Sequence, residues 1–189
     1  SGGVGTATAF DAPDDEALYT VGRPRPGVEI RIGDGGEILL RSPAAMVGYW
    51  RDPERTAATL DADGWLHTSD LGELDDAGCL RIMGRTNDMY IRGGFNIHPL
   101  EVERVVADHP KVSRVAIVGT PAPTIGEIGV AFVEPVDADD PPTLDEIRAF
   151  VRERLGPVQT PKHIHFHEAL PRSPVGKVLK SAVRELAMA

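Results

Sequence analysis

Asp70, Arg85, Lys177 and the trio His163, His165 and His167 are the side chains whose types and settings could do chemistry. Asp70 closes the run Gly64-Trp65-Leu66-His67-Thr68-Ser69-Asp70, where strand-like residues give way to polar ones. A carboxylate there can accept two hydrogen bonds from a vicinal diol such as a ribose, as carboxylates do in dinucleotide folds. It can equally be a turn aspartate that bonds its own backbone. Arg85 follows Gly84 at the end of an apolar strand. Its guanidinium offers planar, bidentate contact to phosphate or ribose oxygens, or it pairs with a surface acid. Lys177 ends Pro171-Arg172-Ser173-Pro174-Val175-Gly176-Lys177, a mobile-looking loop before a helix. A compact cation on a long stem can stabilise charge developing on a carboxylate or phosphate. It can also be one of 20 basic side chains on a turn. The three histidines alternate along one strand and share a face. With no added acid or cysteine they read as a solvated strand face, and no metal site is expected.

The elements that must position these residues change character at one joint. Residues 1–27 read as an extended connector, with an acidic turn at Asp11-Ala12-Pro13-Asp14-Asp15-Glu16. Val28, Ile30 and Ile32 alternate with Glu29 and Arg31, the period of a half-buried strand. Gly33-Asp34-Gly35-Gly36 is a turn, and Glu37–Arg41 completes a hairpin. That turn lacks the lysine and following helix of a phosphate loop. Gly64–Asp70 and Cys79–Met83 add strands, so residues 28–84 form a small antiparallel β unit. Thr86-Asn87-Asp88 favour a turn, and Met89-Tyr90-Ile91 a short strand. Gly93-Gly94 allows a backbone geometry, or a close ligand approach, that a Cβ would block. Pro99 opens a helix where its missing N–H costs nothing. Beyond it, the pattern predicts strands at Val112–Val118, Gly129–Val133 and Lys162–His167, with Thr143-Leu144-Asp145-Glu146 as a capping box. A last helix is expected over Val178–Leu186. Helix, strand, strand, helix, strand, helix gives an α+β domain of about a hundred residues.

Totals bound the remaining choices. The 189 residues suit one domain or two small ones, and 41% hydrophobic with 26% charged is ordinary for a globular protein. A net charge of −9 argues against a nucleic-acid-binding surface. Cys79 is the single cysteine, so no internal disulfide forms. No apolar run approaches the roughly 20 residues of a membrane helix. Ser1-Gly2-Gly3-Val4-Gly5 has neither the basic nor the apolar region of a signal peptide. The expected location is the cytoplasm.

Four stretches, in order, resemble motifs of the adenylate-forming superfamily, and most closely its acyl-CoA synthetase branch. They are Gly36–Trp50 with Pro53–Thr56, Gly64–Asp70, Gly84–Glu103 and Pro171–Lys177. Within the third, Arg92-Gly93-Gly94-Phe95-Asn96-Ile97-His98-Pro99 is similar to the form found in that branch. The resemblance implies that Asp70 holds the ribose hydroxyls of ATP and that Arg85 contacts ribose or phosphates. It implies that Lys177 bridges the acid's carboxylate and the α-phosphate, and that Gly93 and Gly94 line the channel for the pantetheine arm of CoA. It places a hinge at residues 85–88, with Asn87 as the turning residue where the family usually carries aspartate or lysine. The family more often has glycine where Ser69 stands. The family's phosphate loop and its adenine and metal motif are absent, so a large N-terminal domain of the same protein should lie upstream. Residues 1–84 would end that domain with a β subdomain, and residues 89–189 would form the mobile C-terminal domain. The implied parent is an ATP-, Mg²⁺- and CoA-using ligase of a carboxylic acid, fatty acids being the default. This chain by itself is expected to be inactive. The alternative is a fatty acyl-AMP ligase or an enzyme that loads a carrier protein.

Overall fold

The computed structural model describes residues 5–188, which divide into two compact units, one ending at Asn87 and the other beginning at Asp88. In the first unit, β1 (Thr6–Ala7) and β2 (Arg23–Pro24) form a short antiparallel ladder, with α1 (Asp14–Tyr19) between them. Of the acidic stretch expected as a turn, Asp11-Ala12-Pro13 stay outside the helix and Asp14-Asp15-Glu16 open it. Asp14, Asp15 and Glu16 all sit in its first turn, where the helix dipole favours carboxylates. The main sheet runs β3 (Glu29–Ile32), β4 (Glu37–Arg41), β5 (Leu66–Leu74), β6 (Leu80–Arg85), antiparallel throughout. α2 (Pro53–Thr59) starts with Pro53 behind the Asp52 cap, whose carboxylate accepts from the Arg55 N–H. Ile38, Leu39, Leu40, Leu66, Leu71, Cys79 and Leu80 form its buried apolar set. Trp65 lies between the guanidinium groups of Arg31 and Arg41, at 4.4 and 4.6 Å from its ring centre. β5 continues past Asp70 to Leu74 because a register shift between Leu71 and Gly72 lets the ladder resume.

The second unit is built around two long strands, β9 (Val112–Ala122) and β10 (Gly126–Pro135), after β7 (Tyr90–Arg92), β8 (Phe95–Ile97) and α3 (Pro99–Ala107). β9 pairs along the whole of β10. On β10's other edge, β7 meets it at Gly126 and β11 (His163–Phe166) lies parallel to it over Val130–Val133. β10 is covered on both faces, which explains its continuous apolar run. Ile117, Ala131 and Val133 face α3 and α4 (Leu144–Leu155), meeting Val102, Val106, Ile147 and Val151. Ala116, Val118, Val130 and Phe132 face the other way, against Leu170 and, from α5 (Lys180–Met188), Val183. The capping box of α4 is present in both directions. α5 begins later than the periodicity suggests, because Val178 is still bridged to Arg172 and the Leu179 N–H donates to Pro171 O. Lys180 then reaches Glu103 at 2.8 Å and Asp88 at 3.6 Å, and Arg184 donates to Asp88 at 2.7 Å. No helix among the described residues is long and apolar enough to cross a membrane.

Tyr90 is 1% exposed, and its ring lies over Gly119 and Gly129, a cross-strand pair. A Cβ on either glycine would run into that side chain. The phenol has no hydrogen-bond partner among the described residues, and burial pushes it up to about 12. A phenol held above its usual value stabilises the fold fully below pH about 10, and that stability is lost as pH rises toward about 12. Gly119→Ala should therefore lower stability by about 1–3 kcal/mol through overpacking. Tyr90→Phe should stay within about 1 kcal/mol of wild type at pH 7 and show a smaller alkaline loss, both read by urea unfolding.

Candidate functional site

The first unit carries Asp70 on a distorted piece of β5. Ser69 adopts φ +59, the left-handed region that glycine occupies without a Cβ penalty. Its neighbours fix it there. The Ser69 N–H donates to Glu37 Oε1 at 2.9 Å, and its carbonyl accepts from the Thr86 N–H at 3.0 Å. Glu37 also holds His67 Nδ1 at 2.9 Å. The Thr68 hydroxyl donates to Ile38 O at 2.7 Å and lies 3.1 Å from the Asp70 N–H that donates to it. The strained residue thus stands one position before the candidate ligand carboxylate, a setting common at functional sites.

Asp70 and Arg85 are opposite each other in the β5–β6 ladder, and Arg85 Nε donates to Asp70 Oδ1 at 2.7 Å. The side chains are 30% and 64% exposed, so this pair contributes little stability and chiefly fixes geometry. The contact uses Nε and leaves the two Nη groups outside it. Both residues line a cavity of about 510 Å³ with Thr68, Ile38 and Leu40. An apolar cavity with a carboxylate and a guanidinium side by side suits a ligand bearing a diol and an anion. Asp70 and Arg85 stand 15 residues apart in the sequence. Strand pairing brings them together, and Glu37, which lies in the Gly36–Trp50 stretch, organises the bend through partners 30 and 32 residues on.

Gly93 and Gly94 form the two-residue turn between β7 and β8, with φ +57 and +86. Two positive φ values between paired Arg92 and Phe95 are the pattern of the tight hairpin that matches strand twist. A Cβ on either would meet nothing within 4 Å, so the glycines answer to backbone angle and not to crowding. The Gly93 N–H donates to Ile125 O at 2.7 Å. Arg92 Nη1 donates to the carbonyls of Val158 and Thr160 at 2.7 and 2.8 Å, tying the turn to the loop after α4.

Lys177 lies on a closed hairpin turn. The Ser173 N–H donates to Lys177 O and the Gly176 N–H to Ser173 O, each at 2.8 Å. The Lys177 N–H donates to the Ser173 hydroxyl at 3.2 Å, and Gly176 sits at φ +82. The loop expected to be mobile is therefore held at its base. Lys177 is exposed, and among the described residues no carboxylate forms an ion pair with it, unlike Lys111 and Lys180. His163 and His165 are exposed, while His165 and His167 lie against the Phe132 ring. Among the described residues no group of three His, Cys, Asp or Glu side chains could hold a metal ion. Asn87 is the last residue of the first unit.

Residues 101–177 match the model of the AMP-binding enzyme C-terminal domain. The chain is 49% identical over 179 residues to a 3-[(3aS,4S,7aS)-7a-methyl-1,5-dioxo-octahydro-1H-inden-4-yl]propanoyl:CoA ligase of Mycobacterium tuberculosis, covering 92% of this chain and 35% of the relative. It is 38% identical over 176 residues to a long-chain-fatty-acid–CoA ligase of Salmonella typhimurium, covering 88% and 31%. Among solved structures it is similar to the amide bond synthetase McbA of Marinactinospora thermotolerans, with TM-score 0.84 and 41% identity over 90% of this chain and 37% of that one. The chain spans about a third of the length of the curated relatives it matches. Residues 101–177, from α3 to the exposed lysine, match the AMP-binding enzyme C-terminal domain, and over most of its length the chain is similar to a part of adenylate-forming enzymes.

Proposed function

We propose that the protein carrying this chain is an AMP-forming acid–thiol ligase, which activates a carboxylic acid as acyl-AMP and passes the acyl group to CoA. The observation that carries this reading is the Asp70–Arg85 pair in one compact unit and, on a closed turn in the other, the Lys177 cation with no carboxylate paired to it among the described residues, with the chain dividing after Asn87. Asp70 accepts the ribose hydroxyls of ATP, and Arg85 turns its Nη groups to ribose or phosphate. A carboxylate oxygen of the acid attacks the α-phosphorus, forming an O–P bond while pyrophosphate leaves. Lys177 lies against the carboxylate and the α-phosphate and stabilises the charge that builds there. The second unit then turns about Asn87, withdrawing Lys177 and presenting the Gly93-Gly94 turn to the pantetheine arm. The thiol sulfur attacks the acyl carbonyl, a C–S bond forms, AMP leaves and the thiol proton passes to solvent. One body that presents a different loop for each half-reaction is a gating device.

Mg²⁺ neutralises phosphate charge in such chemistry; the described residues offer no ligand set for it, so it would enter with ATP. Phosphate gripping and the acyl pocket belong to a large domain upstream, and these 189 residues alone do not turn over ATP. Fatty acids and ring-bearing propanoates head the substrate class, because ligases to which the chain is similar are named for them. The single cysteine is free and buried, in keeping with a reducing cytoplasm. A second reading, acyl transfer to a carrier protein or an amine in place of CoA, is favoured by the likeness to an amide bond synthetase.

The test uses the full-length protein, with pyrophosphate and AMP release followed over a panel of acids. Steady turnover should need CoA and yield acyl-CoA; acyl-AMP accumulating regardless of CoA would favour the second reading. Lys177→Ala should slow adenylation about 100-fold or more while acyl transfer from supplied acyl-AMP persists. Equal loss in both steps would refute the division of roles.

A further inference from the structure

Glu134 is 5% exposed at the end of β10, an unusual place for a carboxylate. Three donors converge on it. The Leu170 N–H donates to Oε1 at 2.6 Å, Arg172 Nη2 lies 2.7 Å from both oxygens, and Arg114 Nε is 3.5 Å from Oε2. Burial alone would push this carboxyl up; the Leu170 N–H, the Arg172 hydrogen bond and charge, and the Arg114 charge outweigh it and hold it below the usual carboxylate range. Leu170 and Arg172 begin the segment that carries Lys177. Arg172 is bridged to Val178, immediately after Lys177, and the Pro171 carbonyl accepts from the Leu179 N–H. The turn from Ser173 to Lys177 closes on itself, but its own bonds fix only its internal shape. Its attachment to the domain runs through the buried Glu134 on the entry leg and through α5 on the exit leg. The sheet is the firmer partner here: Glu134 pairs with Arg114 of β9, and β10 is paired on its other edge with β11 up to Val133, the residue before it.

Building on the proposed function, we propose that Glu134, acting through Arg172, is a positioning residue that aims the Lys177 turn for the adenylation half-reaction. It touches neither substrate nor the reacting atoms. Geometry is what it supplies: a cation on a long stem is useful only when its stem is anchored, because a misplacement of about 1 Å can cost roughly 100-fold. A carboxylate buried only to stabilise the fold would affect both half-reactions alike.

The experiment uses the full-length protein with Glu134→Gln and Arg172→Lys, each alone and combined with Lys177→Ala. Arg172 is exposed, so its variant folds even if the buried Gln does not. Pyrophosphate release and acyl transfer from supplied acyl-AMP are measured separately, alongside amide exchange of Leu170 and Leu179, whose N–H groups hold the two legs of the turn. The positioning role predicts a 10- to 100-fold loss in pyrophosphate release, at most a twofold change in acyl transfer, and faster exchange of both amides. It also predicts that the double variants are no slower than Lys177→Ala alone, since a residue acting through another has nothing left to position. Equal losses in both half-reactions, double variants that fall multiplicatively, or unchanged amide exchange would overturn it. Failure of the ligase reading itself would look different. The unmodified protein would release no pyrophosphate, or Lys177→Ala would not matter, while the amide exchange would still report whether Glu134 holds the turn.

Discussion

The second unit depends on one antiparallel pair. β9 and β10 run together from the Gly126–Ala122 end to Pro135, and nearly everything of interest in this unit hangs from them. Successive residues of β10 point alternately into two layers, so Ala131 and Val133 meet α3 and α4 while Val130 and Phe132 meet Leu170 and α5. Its first residue pairs with Arg92 beside the Gly93-Gly94 turn, its middle pairs with β11, and Glu134 near its end grips the lysine segment. A strand with both faces covered cannot slip by one residue without exchanging the side chains of its two cores, Ala131 and Val133 for Val130 and Phe132, which fill spaces of different shape. That constraint fixes where the glycine turn and the lysine turn can be.

In the first unit the corresponding work is done by a local departure from regularity. Ser69 in the left-handed region and the register shift after Leu71 set how the β5–β6 ladder carries Asp70 opposite Arg85. Glu37, Thr68 and Thr86 absorb the backbone groups that this bend leaves over. Glycine would hold the same angle with no Cβ cost. The serine is tolerated because three neighbours bind the same short segment.

Much of this architecture was legible from pattern alone. Alternation marked β3, apolar stretches within Val112–Val118 and Gly129–Val133 marked β9 and β10, and Thr143 with Glu146 marked the start of α4, because each signal is local in sequence. What pattern could not reach was non-local or conformational. Asp70 and Arg85 are 15 residues apart in the chain, and only pairing across a shifted register joins them. Glu134 lies just beyond the strand expected at Gly129–Val133; its partners lie 36 and 38 residues on. The α1 helix was hidden because three consecutive acids resemble a solvated turn as much as a helix start. The glycine pair was read as serving either a turn or a ligand, and the open space around both positions puts the backbone angle first.

Asp88 is the first residue of the second unit, and its carboxylate is held by both Lys180 and Arg184 of α5. This fixes where the polypeptide can be cut. A version of the second unit starting at Met89 would keep every strand and helix described for it, yet it would discard an acid that faces two cations near the far end of the sequence. Lys180 would retain Glu103, but the seam joining the unit's first residue to its last helix would be open. Dissection, fusion or transplantation of this domain into another protein should therefore carry the boundary at or before Asp88. A recipient whose residue there is not acidic would need a matching change on the helix.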